Sequence, residues 1–405
     1  MNRYNLYKDS GISWLGNIPS NWDVIRNKYF TIPIQDKSET GTEELLSVSE
    51  KKGVIPRRSI RNEEEHLSTS KTLVGYLKVL PGDLVSNIML MWKRGLGVSN
   101  FKGIVSPSYS VFRFIDSEPK YYHYLFRTDQ YVSEFRRNST GVIESRLRLY
   151  DDSFGLISSH RPPLSEQKQI VTFLDDKTKK IDSLIQQKEK KIELLKEKRN
   201  SLTNHVVTKG LDSNVEMKDS GVEWIGEIPS HWVESQSKFY IKLRHGHQFR
   251  DGDFTDEGIK IIKITQLDKR GFLNLSKCSK IDKDRLDGFE DIRIYENDIL
   301  MCLTGGTIGK IIRVGKVDEP LLQNYRVGHF SPVDTNEMNN NFMFYLMSSE
   351  VIVGQIFFDV KETGQPNIGM EDMNKMRICV PPISEQQQIV EYLDKQTEEI
   401  ETLIQ

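Results

Sequence analysis

The chain has 405 residues, of which 37% are hydrophobic and 28% charged, and its formal net charge is −2. This length exceeds what one ordinary core accommodates, and the composition excludes a disordered chain and a purely electrostatic nucleic-acid binder. The three cysteines, Cys278, Cys302 and Cys379, are far apart, so they predict a reducing cytoplasm and neither a disulfide framework nor a zinc site. No apolar run is long enough to span a membrane.

The first recognisable segment recurs half a chain later. "KDSGISWLGNIPSNW" (8–22) and "KDSGVEWIGEIPSHW" (218–232) are identical at ten of fifteen positions. Trp14 and Trp22 have large apolar faces that favour packing over catalysis, and the glycines and proline between them predict turns. We call the two copies strap 1 and strap 2, and we expect each to pack near the base of the other repeat's helix.

Each strap leads into a variable stretch, residues 23–161 and 233–380. Apolar runs such as Ile299–Leu303 are bounded by turn residues and predict strands. The segment "PKYYHYLFRTDQYVSEFRR" (119–137) has apolar residues at helical spacing. Both stretches are therefore predicted to be mixed α/β domains.

A Pro-Pro pair and a long predicted helix follow each variable stretch. "PPLSEQKQIVTFLDDKTKKIDSLI" (162–185) returns as "PPISEQQQIVEYLDKQTEEIETLI" (381–404), identical at fourteen positions. Ser165 is placed to cap the first helix, which is predicted over 165–208. Its apolar stripe needs a partner, which favours pairing with the second copy over an ordinary amphipathic helix. The predicted helix-pairing or partner-docking residues are Ile170, Leu174, Ile181, Ile185, Ile192, Leu195, Leu202, Ile389, Leu393, Ile400 and Ile404.

These elements predict an α+β fold in which two mixed α/β domains are separated by two long helices that form an antiparallel coiled coil. The duplication predicts a tandem repeat with pseudo-twofold symmetry. The second helix stops about 22 residues earlier than the first by the repeat alignment, so we expect a shortened helix pair. The predicted divisions are 1–22, 23–161, 162–232, 233–380 and 381–405.

Catalytic motifs are missing from the sequence. "TGGTIGK" (304–310) fails as a P-loop because Thr304 stands at the first glycine position and Ile311 replaces the Ser or Thr. "HGH" (245–247) has no third ligand beside it, which favours an exposed loop over a metal site. No nucleophile signature, S-adenosylmethionine loop or nuclease motif is found, so the chain is predicted to bind and not to catalyse.

Local basic and polar clusters lie inside both variable domains. Arg, Lys, Gln and Asn make bidentate contacts with base edges, and Ser, Thr and Lys suit phosphates. For any single residue a solvated surface charge is the simpler interpretation, but the clusters lie near glycine-rich turns in both domains. The candidate DNA-binding residues are Arg57, Arg58, Lys93, Arg94, Ser106, Tyr109, Arg136, Arg137, Arg146, Arg148, Thr307, Lys310, Gln323, Asn324, Arg326, Lys361, Thr363, Gln365 and Asn367.

With these motifs the chain resembles the DNA specificity subunits of type I restriction–modification systems. The resemblance rests on the two straps and on "PPLSEQKQIVTFLD" and "PPISEQQQIVEYLD", and it covers essentially the whole chain. "GIVSPSYSVFR" (103–113) and "TGGTIGK" also match the family pattern, less specifically.

The resemblance implies that each domain is a target-recognition domain that reads one half of a bipartite, asymmetric site in double-stranded DNA. The helices would set the spacer and dock methyltransferase subunits, two of them, to which restriction/translocase subunits can be added. The chain itself would be non-catalytic, cytoplasmic and without cofactor, metal or membrane contact. S-adenosylmethionine, ATP and magnesium would belong to the partner subunits.

Two other functions compete with this one. A non-catalytic coiled-coil adaptor would bind proteins in place of DNA, using the same helices. A fused restriction enzyme or methyltransferase is disfavoured by the missing motifs.

Overall fold

The computed structural model describes residues 4, 6–60, 72–143, 146–268, 272–360 and 367–404. The chain divides into two compact units, Met1–Ile185 (unit 1) and Gln186–Gln405 (unit 2).

Unit 1 is built on a four-stranded antiparallel sheet with the order β4-β11-β8-β9. All four residues of β8 are buried, so this sheet is covered on both faces. Smaller two-stranded sheets pair β1 with β2, β12 with β3, β5 with β6 and β10 with β7. The strands are β1 Tyr7–Asp9, β2 Asn17–Pro19, β3 Asp23–Arg26, β4 Thr31–Pro33, β5 Leu46–Ser49, β6 Gly53–Pro56, β7 Leu77–Val79, β8 Leu84–Asn87, β9 Leu96–Val98, β10 Gly103–Val105, β11 Tyr109–Phe114 and β12 Ser158–Arg161.

Aromatic side chains form the core between this sheet and the unit 1 helices. Phe30 stacks on Tyr122 with ring centroids 4.6 Å apart, and Tyr122, Phe126 and Phe135 are fully buried. Such aromatic contacts bury large areas and fix the mutual orientation of the elements that carry them. The helices are α1 Pro119–Leu125, α2 Asp129–Arg137, α3 Asp151–Leu156 and α4 Leu164–Lys209, the last of which continues into unit 2.

The first turns of α4 are bonded to unit 1. The buried amide of Gln167 donates to the carbonyl of Pro162 (2.8 Å) and accepts from the backbone N–H of Glu118 (2.9 Å). Farther along, Asp175 accepts from Lys120 Nζ (2.7 Å) and Tyr124 Oη (2.6 Å). Burial raises the pKa of Asp175, but these two hydrogen bonds outweigh burial and leave its pKa below the usual value.

Strap 1 is bonded to the start of α4 in its own unit. The indole of Trp22 donates to Glu166 Oε1 (3.0 Å), and Asn21 Nδ2 donates to Glu166 Oε2 (3.1 Å). Tyr4 also donates to Glu166, and burial together with this bond raises the pKa of Tyr4 to about 12. The expectation that strap 1 packs on the other repeat's helix is therefore wrong, because its polar contacts are made to the nearest Pro-Pro helix.

Unit 2 repeats the central sheet of unit 1 with the same connectivity, in the order β16-β23-β20-β21. A second sheet, β18-β17-β22-β19, contains one parallel pair, β17 with β22. The strands are β13 Met217–Asp219, β14 Glu227–Pro229, β15 Val233–Gln236, β16 Ile241–His245, β17 Ile259–Ile262, β18 Ser279–Ile281, β19 Arg293–Ile294, β20 Ile299–Cys302, β21 Ile311–Arg313, β22 Leu321–Gln323, β23 Val327–Pro332 and β24 Arg377–Val380.

The unit 2 helices follow the same order as those of unit 1, which confirms the predicted tandem repeat of mixed α/β domains. Gln386 repeats the role of Gln167: it donates to the carbonyl of Pro381 (2.8 Å) and accepts from Asn339 N–H (2.8 Å). The helices are α5 Asn340–Ser348, α6 Glu350–Val360, α7 Met370–Lys375 and α8 Ile383–Ile404.

Strap 2 contacts two helices. The fully buried Trp232 donates its indole N–H to Glu385 Oε2 (3.1 Å), and His231 Nε2 lies 2.8 Å from the same oxygen. At the end of α4, Lys209 Nζ donates to the carbonyls of Ile225 (3.4 Å) and Glu227. Strap 2 therefore meets both its own helix and the preceding one, as expected for this copy.

The end of α4 and α8 lie antiparallel within unit 2. Arg199 pairs with Glu401 near the end of α8 (2.5 Å), whereas a Cβ on Gly210 would lie 2.9 Å from Glu385 Oε1 near its start. Val206 shares a buried cluster with Ile389, Leu393 and Ile400, and Leu202 packs against that cluster.

The rest of the predicted stripe is not buried in this way. Ile170 packs against the core of unit 1, and Leu174, Ile192, Leu195 and Ile404 are only half-buried. Ile181 and Ile185 are 56% and 50% exposed. The contacts between α4 and α8 described above lie from Arg199 onward, and for Ile181 and Ile185 the exposed side chains leave partner docking as the prediction.

Replacing Glu385 tests the bond between strap 2 and α8. We expect Glu385→Ala to lower the free energy of unfolding by about 1–3 kcal/mol, since the buried Trp232 indole loses its acceptor. Urea unfolding of the full chain measures the change. Glu398→Ala, at an exposed position on the same helix, is the matched control. Equal transition midpoints for the two variants would contradict the role given to this bond.

Candidate nucleic-acid interface

Several predicted residues of unit 1 meet at one end of its central sheet. Tyr109, the first residue of β11, lies opposite Asn87, the last residue of β8. Ser106 precedes it in a turn, where its carbonyl accepts from Tyr109 N–H (2.9 Å). The connection from β8 to β9 begins at the same place and carries Lys93 and Arg94. The antiparallel register therefore places these four side chains on neighbouring loops.

Trp92 holds two of the predicted cations at this end. Its ring is 7% exposed and its indole N–H donates to the carbonyl of Met89 (2.9 Å). Lys93 Nζ lies 4.6 Å and Arg136 Cζ 5.6 Å from the ring centroid. Cation–π attraction at these distances keeps the two charged groups side by side while both side chains are exposed.

Arg94 and Arg137 are partly neutralised. Arg94 pairs with Asp129 and donates from Nε to the carbonyl of Arg127 (3.0 Å). Arg137 lies 3.0 Å from Glu134. These two arginines therefore contribute less positive potential than an unpaired side chain would.

A hairpin brings two further arginines to the same loops. Thr140 and Arg148 exchange backbone hydrogen bonds of 2.9 Å, and Leu149 N–H donates to the carbonyl of Ile88 (2.9 Å). Arg146 and Arg148 are exposed. The hairpin is thus joined to the β8–β9 connection that carries Lys93.

The remaining pair of unit 1 candidates lies elsewhere. Arg57 and Arg58 begin a short 3-10 helix after the β5–β6 hairpin, and Arg58 pairs with Glu44 at 2.8 Å. This hairpin is not one of the loops at the sheet end, so the pair does not belong to the cluster formed by Lys93, Arg136, Arg146 and Arg148. We call that cluster the unit 1 basic patch.

Unit 2 has the corresponding sheet end. Cys302 at the end of β20 lies opposite Val327 at the start of β23, and Leu303 N–H donates to the carbonyl of Arg326 (3.0 Å). Ile368 N–H donates to the carbonyl of Leu303 (2.9 Å), as Leu149 bonds to Ile88 in unit 1, and the exposed Asn367 bridges to Thr304. The β20–β21 connection, with Thr307 and Lys310, thus takes the place of the β8–β9 connection.

Comparison with known proteins agrees with this duplicated architecture. Residues 233–405 match the family model described as the type I restriction modification DNA specificity domain. The MjaVIII type I restriction enzyme specificity subunit of Methanocaldococcus jannaschii is 26% identical over 392 residues, which cover 93% of this chain and 86% of that protein. The EcoBI specificity subunit of Escherichia coli is 25% identical over 280 residues, which cover 65% of this chain and 56% of that protein.

Residues 233–405 thus match a type I specificity domain, and the chain over nearly its whole length is similar to a type I specificity subunit. Solved structures agree on the fold. A chain from a study of type I R-M complex assembly and conformational transition superposes with a TM-score of 0.67 at 14% identity, covering 96% of this chain and 93% of that one. The HsdS subunit of Thermoanaerobacter tengcongensis superposes with a TM-score of 0.52 at 14% identity, covering 95% of this chain and 91% of that one.

Two predicted DNA contacts of unit 2 are part of the core. Gln323 is fully buried; its Nε2 donates to the carbonyls of Arg244 (2.9 Å) and Val327 (2.6 Å), and its Oε1 accepts from Arg244 Nε (3.1 Å). Asn324 is 5% exposed, and its Oδ1 accepts from Arg326 N–H (3.3 Å). We therefore assign Gln323 and Asn324 to positioning the β22–β23 turn, because the amide of Gln323 is fully bonded and Asn324 is buried with its oxygen bonded.

Lys310 and Thr307 are also engaged in the loop structure. Lys310 Nζ donates to the carbonyl of Leu267 (2.7 Å), and the carbonyl of Thr307 accepts from Lys310 N–H (3.1 Å). Both side chains are half-buried. Lys361, Thr363 and Gln365 lie outside the described residues.

Arg326 is exposed, and the structure adds two neighbours that the sequence did not single out as contacts. Its guanidinium lies 5.3 Å from the Tyr325 ring centroid, and Nε donates to Tyr325 Oη (2.8 Å). Tyr325 N–H in turn donates to the carbonyl of the exposed His247 (3.0 Å). The "HGH" and "QNYR" motifs were the available signals, but only the fold shows that they are adjacent.

Two further properties concern the described part of the chain. In it, no three His, Cys, Asp or Glu side chains are grouped so that they could hold a metal ion. No helix among the described residues has the length and apolarity needed to cross a membrane.

Paired substitutions separate the core from the surface in unit 2. We expect Gln323→Leu to lower the free energy of unfolding by about 1–3 kcal/mol, because buried partners lose their hydrogen bonds. Arg326→Ala, at an exposed site, should change it by less than about 0.5 kcal/mol. Urea unfolding of both full-length variants measures these values. A larger loss for Arg326→Ala would reverse the assignment.

Proposed function

We propose that the chain is the DNA specificity subunit of a type I restriction–modification complex and that each unit reads one half of a bipartite, asymmetric site in double-stranded DNA. The observation that carries this proposal is the pair of central sheets, which share one strand order but present different side chains at the same end. A common framework with unlike loops suits two different half-sites, whereas identical units would suit a palindrome.

The unit 1 basic patch supports a DNA-binding role. Exposed arginine and lysine side chains on adjoining loops fit phosphate contacts and guanine edges. At the equivalent end of unit 2, Arg326, Tyr325 and His247 offer a different set of donors and aromatic faces. The overall charge of −2 is compatible with this role because the cations are concentrated locally.

The exposed stripe of α4 supports a second part of the proposal, docking of methyltransferase subunits, two per chain. Ile181, Leu184 and Ile185 lie within two turns of this helix and are each at least 50% exposed. Contiguous exposed apolar surface on a helix fits a protein partner. On this proposal the chain is non-catalytic and cytoplasmic; S-adenosylmethionine, and ATP and magnesium where restriction/translocase subunits are added, belong to the partners.

Exchange of one recognition domain tests whether each unit reads one half-site independently of the other. We expect replacement of residues 23–161 by the matching stretch of a related subunit to change one half of the methylated motif and to preserve the other. Methylome sequencing of cells that carry the chimera with its methyltransferase measures both halves. The reciprocal exchange of 233–380 is the control. A change in both halves, or in neither, would contradict one-unit–one-half-site reading.

Lengthening α4 tests its proposed role in setting the spacer. Insertion of four residues beside Lys188, in the exposed part of the helix, adds about one turn, or roughly 6 Å. We expect the methylated motif to keep both half-sites but to gain a longer unread spacer. The control replaces four exposed residues of the same segment, which changes as many residues but leaves the length of the helix the same. An unaltered spacer in the methylome would rule out the ruler role.

A further inference from the structure

Two neighbouring segments of unit 2 fix the backbone at Arg326. His247 N–H donates to the carbonyl of Gln323 (3.0 Å), and Tyr325 N–H donates to the carbonyl of His247 (3.0 Å), so the loop at His247 and the β22–β23 turn are bonded to each other. The carbonyl of Arg326 itself accepts from Leu303 N–H (3.0 Å) at the end of β20. The turn that carries Arg326 is therefore held by both its sheet and the neighbouring loop.

The side chain of Arg326 is held as well. Its Nε donates to Tyr325 Oη (2.8 Å), and its guanidinium carbon lies 5.3 Å from the centroid of the same ring. The hydrogen bond and the cation–π attraction restrict the orientation of an exposed guanidinium. Since Nε is occupied, Nη1 and Nη2 are the nitrogens that this side chain presents to a ligand.

The charge of Arg326 is not neutralised within the part of unit 2 that the structure describes, where no carboxylate pairs with it. Other guanidiniums of this unit are taken up by carboxylates or by other oxygen acceptors of the protein. They are those of Arg199, Arg244, Arg285, Arg293, Arg313 and Arg377. Arg326 is thus oriented like a structural arginine but keeps its terminal donors for another molecule.

The resulting group is rich in donors. A guanidinium has no acceptor, and the Tyr325 hydroxyl, which accepts from Nε, has its own proton to donate. On the major-groove edge of DNA, guanine offers two neighbouring acceptors, N7 and O6, whereas adenine and cytosine present an amino donor and thymine a single acceptor beside a methyl group. A phosphate contact is satisfied by a mobile cation and carries no sequence information, so the fixed orientation favours a base.

We propose that Arg326, positioned by Tyr325, donates from Nη1 and Nη2 to N7 and O6 of a guanine in the half-site read by unit 2. This inference rests on the proposed function of the chain as a DNA reader. In unit 1 the strand register places Ser108 at the matching position, because Tyr109 opposes the last residue of β8 as Val327 opposes the last residue of β20. Serine has no guanidinium, so the contact belongs to the unit 2 half-site alone.

Two guanine analogues form a matched pair of probes. 7-Deazaguanine lacks the N7 acceptor, whereas inosine keeps N7 and O6 and lacks only the amino group in the minor groove. The full chain with its methyltransferase subunits is bound to duplexes of the methylated motif, in which each guanine is replaced singly by one analogue. In the half of the motif that exchange of 233–380 alters, we expect one guanine at which 7-deazaguanine weakens binding at least about ten-fold, since a hydrogen bond from a charged donor is lost. Inosine at that position should leave the major-groove contact and its ten-fold contribution in place.

Three variants assign the effect to this side chain. Arg326→Ala should bind the guanine and 7-deazaguanine duplexes equally. Arg250→Ala, at another exposed arginine of unit 2, is the charge-matched control and should retain the ten-fold difference. Tyr325→Phe keeps the ring and the charge of Arg326 but removes the acceptor of Nε, so the difference should become smaller.

The inference is overturned if the unit 2 half-site contains no guanine, if no guanine in it is sensitive to loss of N7, or if Arg326→Ala still discriminates. Full discrimination by Tyr325→Phe would overturn the positioning role of Tyr325. In each of these cases the unsubstituted complex still prefers its motif, so the proposed function stands. Absence of any preference among duplexes would instead overturn the proposed function.

Discussion

One hydrogen bond, from a tryptophan indole to a glutamate in the first turn of a helix, ties each strap to its unit. Trp22 donates to Glu166 in unit 1 and Trp232 to Glu385 in unit 2, at 3.0 and 3.1 Å. Buried amides one residue later, Gln167 and Gln386, bond each helix start to the domain before it. The "SEQ" motif thus joins the strap, the recognition domain and the helix at a single place.

This joint explains how the two units can differ elsewhere. The strap and the helix start hold the ends of a domain whose central sheet keeps one strand order. The hydrogen bonds of the joint are made by the strap, the helix start and the domain, and none of those described here involves the loops that carry the candidate contacts. In unit 1 they carry tryptophan-supported cations, and in unit 2 a tyrosine–arginine pair beside His247. Framework and recognition residues are therefore separated along the chain.

The repeats and the long helix could be predicted from the sequence because they depend on local patterns: internal identity, apolar spacing and a Pro-Pro boundary. The partner of each strap could not be predicted from the sequence, because the two Pro-Pro helices carry the same motif. Only tertiary packing selects Glu166 as the acceptor for Trp22. Gln323 was predicted as a base contact because its residue type suits adenine, but burial decides its role. Arg146 and Lys93 are 53 positions apart, so only the fold brings their loops together.

The exposed middle of α4 has a consequence for local stability. Helices gain most of their stability from packing, and residues 176–190 are all exposed in this structure. Short-range ion pairs such as Lys180–Asp176 and Lys190–Glu193 supply only small increments. Backbone amides of this segment are thus the ones in α4 that open most readily to solvent hydrogen exchange, whereas both ends are held by their units. Their protection is a direct measure of whether anything covers the helix.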